Sequence, residues 1–159
     1  MRRLLPVALL LPLAVSACLP QSEPAASTEE DVAAVLAVRA AEVASITTGD
    51  TVIAHVADDI VLMPPNSPAV VGKTAARAWS RELSQQATIQ AIDYTSADVV
   101  IAGDWAIERY AGSVTMVPTG GEPMSETLKG IHIYRRQADG SWKLAQDVWN
   151  SDQPLPEMP

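Results

Sequence analysis

Residues 105–149, WAIERYAGSVTMVPTGGEPMSETLKGIHIYRRQADGSWKLAQDVW, decide the fold. Runs rich in β-branched and aromatic residues alternate there with turn signals. Trp105 to Val117 is followed by the loop Pro118-Thr119-Gly120-Gly121-Glu122-Pro123, Thr127 to Arg136 by Asp139-Gly140, and Trp142 to Trp149 closes the stretch. A further run, Ile89 to Ile101, precedes them across Gly103-Asp104. Four consecutive strands joined by short turns predict an antiparallel meander.

The segment upstream has a different period. Val32, Val35, Leu36, Val43 and Ile46 recur at helical spacing, and Thr28 with Asp31, or Ser27 with Glu30, has capping-box spacing. Gly49-Asp50 ends this first helix, and Asp50 is placed to cap a short second one, Thr51 to Ala57. Asp59 to Met63 reads as a short strand stopped by Pro64-Pro65. Gly72 precedes a third helix, Lys73 to about Gln86, with Ala75, Ala76, Trp79 and Leu83 on its inner stripe. Helices first and strands afterwards predict an α+β domain, with the helices on one face of an antiparallel sheet.

The N-terminus has its own pattern. Arg2-Arg3 precedes an apolar run, Leu4 to Val15, too short to span a bilayer as a mature helix, and Val15-Ser16-Ala17-Cys18 closes it with the chain's one cysteine. This resembles a bacterial lipoprotein signal; the alternative is an ordinary secretory signal cut near Ala17. The resemblance implies that residues 1–17 are removed, that Cys18 carries lipid, and that residues 18–27 tether a domain close to the membrane of the bacterial cell envelope. Leu19, where an aspartate would signal inner-membrane retention, points to the outer membrane and its periplasmic side. With Cys18 acylated no disulfide is available, so the domain depends on its core. The formal charge of −8 becomes about −10 without residues 1–17, which hold two arginines and no acid. That balance argues against nucleic acid as a partner. Residues 153–159 are expected to be a disordered tail.

Several fragments together resemble the NTF2-like superfamily, in its SnoaL-like, DUF4440-type branch. They are Gly49-Asp50, Ala57-Asp58-Asp59 running into Met63-Pro64-Pro65, Val71-Gly72-Lys73 opening a helix, Tyr134-Arg135-Arg136, Asp139-Gly140-Ser141-Trp142-Lys143, and Asp147-Val148-Trp149-Asn150-Ser151. The likeness spans residues 28–152. It implies a cone: three N-terminal helices packed on a curved antiparallel sheet that encloses a cavity. Members include isomerases, polyketide cyclases and dehydratases, and also domains that only bind or oligomerise, often as homodimers through the sheet. Fold alone does not choose among these.

Arg39 is the sharpest residue-level clue. At about 100° per residue it lies near the centre of the stripe of Val32, Leu36, Val43 and Ile46, where an unpaired guanidinium would cost several kcal/mol. Asp147 is its expected partner, with Glu108 and Glu126 as alternatives. Arg39 then either fixes an anionic or carbonyl-bearing ligand, or is an internal ion pair, or snorkels outward. Strand alternation puts Asp147 and Trp149 on one face near the cavity mouth, with Asn150 beside them. Met63, Trp79 and His55 are further candidates for the cavity wall, and His55 or Asp147 is the candidate base. Steroid isomerases of this superfamily use an aspartate just before a proline after the first strand; Leu62-Met63-Pro64-Pro65 puts a proline at that position, and the first helix holds no tyrosine. No cofactor fingerprint and no metal-ligand spacing occurs. The leading expectation is a lipid-anchored domain that binds a small, largely apolar ligand without evident catalysis. The rivals are an isomerase, cyclase or dehydratase, and a structural module that dimerises or docks a partner.

Overall fold

The computed structural model describes residues 29–48 and 54–154. The signal segment, Cys18 and its tether, the Ser27 and Thr28 caps, the Gly49-Asp50 stop and residues 155–159 of the tail lie outside the described residues. The elements are α1 (Glu29–Thr47), β1 (Val56–Met63), β2 (Val70–Val71), α2 (Lys73–Gln86), β3 (Ala87–Ala102), β4 (Trp105–Pro118), β5 (Met124–Arg136) and β6 (Trp142–Ser151).

Local chemistry explains the placement of both helices. Three acids, Glu29, Glu30 and Asp31, occupy the first turn of α1, where the helix dipole favours negative charge. Asp31 also accepts two bonds of 2.8 Å from the Arg136 guanidinium, which lies 4.2 Å above the Trp142 ring. The start of α1 is thereby fastened to the β5–β6 turn. Gly72 precedes α2 at φ 86, a backbone conformation that glycine tolerates best, and its N–H bonds the Ile60 carbonyl at 2.7 Å.

The six strands form one sheet in the order β2-β1-β6-β5-β4-β3. Three expectations need correction. The described residues contain two helices rather than three: residues 51–53 of the expected short helix lie outside them, residues 54 and 55 form a bend, and Val56 and Ala57 belong to β1. Both are buried, and the preceding His55 carbonyl accepts a bond from the Leu144 N–H, so strand pairing with β6 takes this segment. The sheet is mixed, because β1 runs parallel to β6 while every other neighbouring pair is antiparallel. It is also open, with β2 and β3 as its two edges, so it does not close into a cone. The architecture is an α+β fold with two helices on an open, mixed sheet.

The core has two parts. Val35, Ile60, Tyr134 and Leu144, all with no exposed surface, pack with Val56, Ile101, Ala106 and Trp142 toward the β5–β6 turn. Tyr110, Val114 and Leu128 form the second part, with Ile89, Ile92, Tyr94, Met116 and Trp149 packed against it.

Candidate functional site

Strand register builds the site. Glu108 on β4 is paired with His132 on β5, and His132 is paired with Asp147 on β6, so three ionisable residues stand in one row across three adjacent strands. In β4 the alternation Ala106, Glu108, Tyr110 sends Glu108 to the buried face. In β6 strict alternation from Trp142 and Leu144 would turn Asp147 outward. The register shifts instead where Tyr134 pairs Leu144 and Ile133 pairs Gln146, leaving Ala145 as an extra residue. This bulge moves the inward side chains from the even to the odd positions, so that Asp147 and Trp149 face the helices.

Arg39 comes down onto this row from α1. Its Nη1 donates to Glu108 Oε1 at 2.5 Å. The other oxygen, Oε2, accepts from the Tyr134 hydroxyl at 3.0 Å and lies 3.1 Å from His132 Nδ1. On the far side of the imidazole, Nε2 is 3.4 Å from Asp147 Oδ1 without hydrogen-bond alignment. The Tyr110 hydroxyl donates to that same Oδ1 at 3.1 Å, and the Tyr110 ring stacks on His132 at 4.1 Å. The result is a chain of alternating charge, Arg39–Glu108–His132–Asp147, with Glu108 and His132 essentially buried.

Two glycines make room for the rings. Gly130 is paired with Tyr110 and Gly112 with Tyr94, and a side chain on either would run into the tyrosine opposite. Each phenol can therefore lie over the neighbouring strand, which brings the Tyr110 hydroxyl to Asp147.

The electrostatics follow from burial. Burial pushes the Asp147 carboxyl above the ordinary range, opposed by His132 and the Tyr110 bond and assisted by Glu108. Burial also disfavours the His132 imidazolium, but the Glu108 bond and the charges of Asp147, Glu42 and Glu108 together outweigh it and raise its pKa. Glu42, on α1, is pushed from 4.5 to about 7, chiefly by burial, with His132 opposing and Asp147 and Glu108 adding to the rise. Its Oε2 is buried and has no hydrogen-bond partner.

Beyond the row, a cavity of about 430 Å³ opens between the sheet, the second half of α1 and α2. Its walls are mostly apolar or aromatic: Ile46, Leu83, Ile89, Met116 and Leu128, with Tyr94, Tyr110, Trp79 and Trp149. The two tryptophans meet edge to face at 6.0 Å. Glu42, Glu126 and Asp147 are its ionisable carboxyls.

Of the residues singled out from sequence, Trp79, Asp147 and Trp149 come together on this cavity. Arg39 meets Glu108, one of its two alternative partners, rather than Asp147. Met63 is half-buried on β1 beside Leu62, and it is Leu62 that reaches the cavity wall. His55 is half-buried in the bend before β1, outside the cavity lining. Asn150 is exposed, and its side-chain oxygen accepts from the Ser151 N–H. Cys18 lies outside the described residues. Sequence reasoning passed over Glu42 and Tyr134; it allowed Tyr110 as a pocket-lining ring, and it weighed His132 only as a metal ligand. Glu42 had a signal, since it lies three residues after Arg39 on the same inward stripe. Among the described residues, no group of three or more His, Cys, Asp or Glu side chains could hold a metal ion.

Residues 37–145 match the family model of the SnoaL-like domain. Among solved structures, the chain is similar to a ketosteroid isomerase-like protein from Erwinia carotovora atroseptica (27% identity, TM-score 0.73, covering 80% of this chain and 100% of that one). A conserved protein from Planctomyces limnophilus shares the fold at 22% identity and a TM-score of 0.68, covering 78% of this chain and 99% of that one. ActVI-ORFA from Streptomyces coelicolor does so at 16% identity and a TM-score of 0.61, over 76% and 96% of the two chains. No curated protein matches.

Proposed function

The chain belongs to the SnoaL-like domain family, and from that premise we propose that it is an acid–base enzyme of the isomerase or dehydratase type, acting on a small, largely apolar, carbonyl-bearing molecule in the cavity. One observation carries this reading: Asp147, on the cavity wall, is held by the Tyr110 hydroxyl and backed by the buried His132–Glu108–Arg39 chain. The likeness to a ketosteroid isomerase-like protein, at 27% identity, agrees with it.

Asp147 is the base. Burial raises its proton affinity, and the Tyr110 hydroxyl fixes its direction. It takes a proton from carbon next to the ligand carbonyl, and the electron pair moves to the carbonyl oxygen. Return of the proton to another carbon completes an isomerisation; loss of a β-hydroxyl as water completes a dehydration. Tyr94, kept a neutral phenol by burial, offers an O–H donor for the oxygen that gains charge. His55, away from the cavity lining, is set aside as the base.

The test is α-proton exchange of a panel of cyclic ketones and enones in deuterated water, followed by NMR. Exchange with the native chain should fall about 10²–10⁴-fold in Asp147→Asn. Equal exchange by the variant, in a folded protein, would leave a binding domain.

Location and assembly rest on other observations. The reading includes a lipid anchor on Cys18 in the bacterial envelope, supported by the residues around it, and a homodimer through the outer sheet face. Val100, Trp105, Ile107 and Ile131 are each more than 40% exposed on β3, β4 and β5, and a two-fold axis would set this patch against itself. Cys18→Ser should move the protein from the membrane to the soluble fraction, and Ile107→Glu should halve its mass by light scattering; no change in either would remove that part.

A further inference from the structure

We propose that the ligand of this cavity also bears a protonated amine, which pairs with Glu42. The inference rests on the cavity being the ligand site of the reading above; it does not need Asp147 to act as a base.

The signs of the charges point this way. The cavity-lining residues able to carry charge at neutral pH are Glu42, Glu126 and Asp147, and none of the lining residues is basic. A carboxylate ligand would add a like charge beside them in a poorly screened space, whereas an ammonium would offset one. Pairing singles out Glu42. In the row below, Arg39 meets Glu108 and His132 lies between Glu108 and Asp147, so that positive and negative groups alternate. Glu42 stands beyond that row, with a buried Oε2 that has no hydrogen-bond partner. Its charged and titratable surroundings are Arg39 on its own helix, Tyr94 from β3, Glu108 and Tyr110 from β4, His132 and Tyr134 from β5, and Asp147 from β6. The walls fit as well: Trp79, Trp149, Tyr94 and Tyr110 surround the space, and aromatic faces attract organic cations.

Burial pushes the Glu42 carboxyl up to about 7, so at pH 6 it is mostly protonated. An ammonium within reach favours its carboxylate, so amine binding at pH 6 should expel a proton.

The experiment compares three probes of one shape on the purified full-length chain: 2-(2-naphthyl)ethylamine, the corresponding alcohol and 2-naphthylacetate. Titration calorimetry at pH 6, in two buffers of different ionisation enthalpy, reads affinity and proton release together. The amine should bind about tenfold or more tighter than the alcohol, with proton release, and the carboxylate weakest. Glu42→Gln should bring the amine down to the alcohol, while Glu42→Asp retains part of the preference. If Glu42→Gln does not fold, the native amine-to-alcohol ratio and the proton release decide. An alcohol that binds as well as the amine overturns the inference and leaves the cavity reading standing. Binding of none of the three overturns both.

Discussion

Toward the β5–β6 turn, Val35, Tyr134 and Leu144 pack with no surface left over, whereas Ile89, Met116, Leu128 and Trp149 at the other end stand around a cavity of about 430 Å³. The same strands supply both ends: β4 gives Ala106 to one and Val114 to the other, β5 gives Tyr134 and Leu128, and β6 gives Leu144 and Trp149. Between them lies the row Glu108, His132, Asp147, with Arg39 above it. One end holds the fold, and the other is free to hold something else. A buried polar row between them is costly to desolvate, so its retention in an otherwise apolar interior needs a use beyond packing. In the function proposed above, that use is to orient Asp147 at the cavity wall.

If the row is what joins the two ends, removing its central acceptor should have the largest effect. Glu108 has no exposed surface and serves Arg39, Tyr134 and His132. Glu108→Ala leaves a partly buried guanidinium without this carboxylate and should cost about 3–5 kcal/mol in urea denaturation. A loss under about 1 kcal/mol would mean that the two ends hold together without the row.

Glu42 gives the next largest effect, and it has a sign. Its carboxyl is pushed up on folding, from 4.5 to about 7, so below pH 4.5 both states are protonated and folding carries no penalty. As pH rises from 4.5 to 7 the unfolded chain ionises while the folded one keeps its proton. Stability falls over that window by on the order of 3 kcal/mol, then levels off. Glu42→Gln removes this loss. Its stability should match that of the native chain near pH 4 and exceed it at pH 8, in denaturation curves at each pH. Parallel pH profiles would show that Glu42 reaches solvent and that the cavity end is open there.

How much of this the sequence discloses depends on the distance over which each feature is determined. The meander is local. Periodicity and turns placed β4 to within a residue of its observed ends and α2 on its observed span, Lys73–Gln86. The parallel contact of β1 with β6 joins segments some ninety residues apart and has no local signature. At Val56 and Ala57 the expected short helix is replaced by β1, and Val56 pairs with Leu144 of β6. The site divides in the same way. Arg39 is conspicuous because a charge interrupts an apolar stripe, and Glu108 interrupts Ala106 and Tyr110 in the same manner. That Glu108, His132 and Asp147 share one row depends on two registers and a bulge at Ala145, which only the assembled sheet determines. Asp147 and Trp149 could be assigned to one face of β6, but which face needed the bulge.

The smallest effect compares the two ends directly, with one residue type. Leu144 is fully buried in the packed end, and Leu128, 8% exposed, lines the cavity. Leu144→Ala loses transfer energy and also opens a new void that rigid neighbours cannot fill, for about 4 kcal/mol. Leu128→Ala loses the transfer energy alone, because the space it leaves joins one already present, and should cost about 2 kcal/mol. The difference, about 2 kcal/mol in paired urea curves, measures how empty the second end is in solution. Equal losses would mean that the Leu128 end closes on itself without a ligand, and that the cavity forms only as its occupant enters.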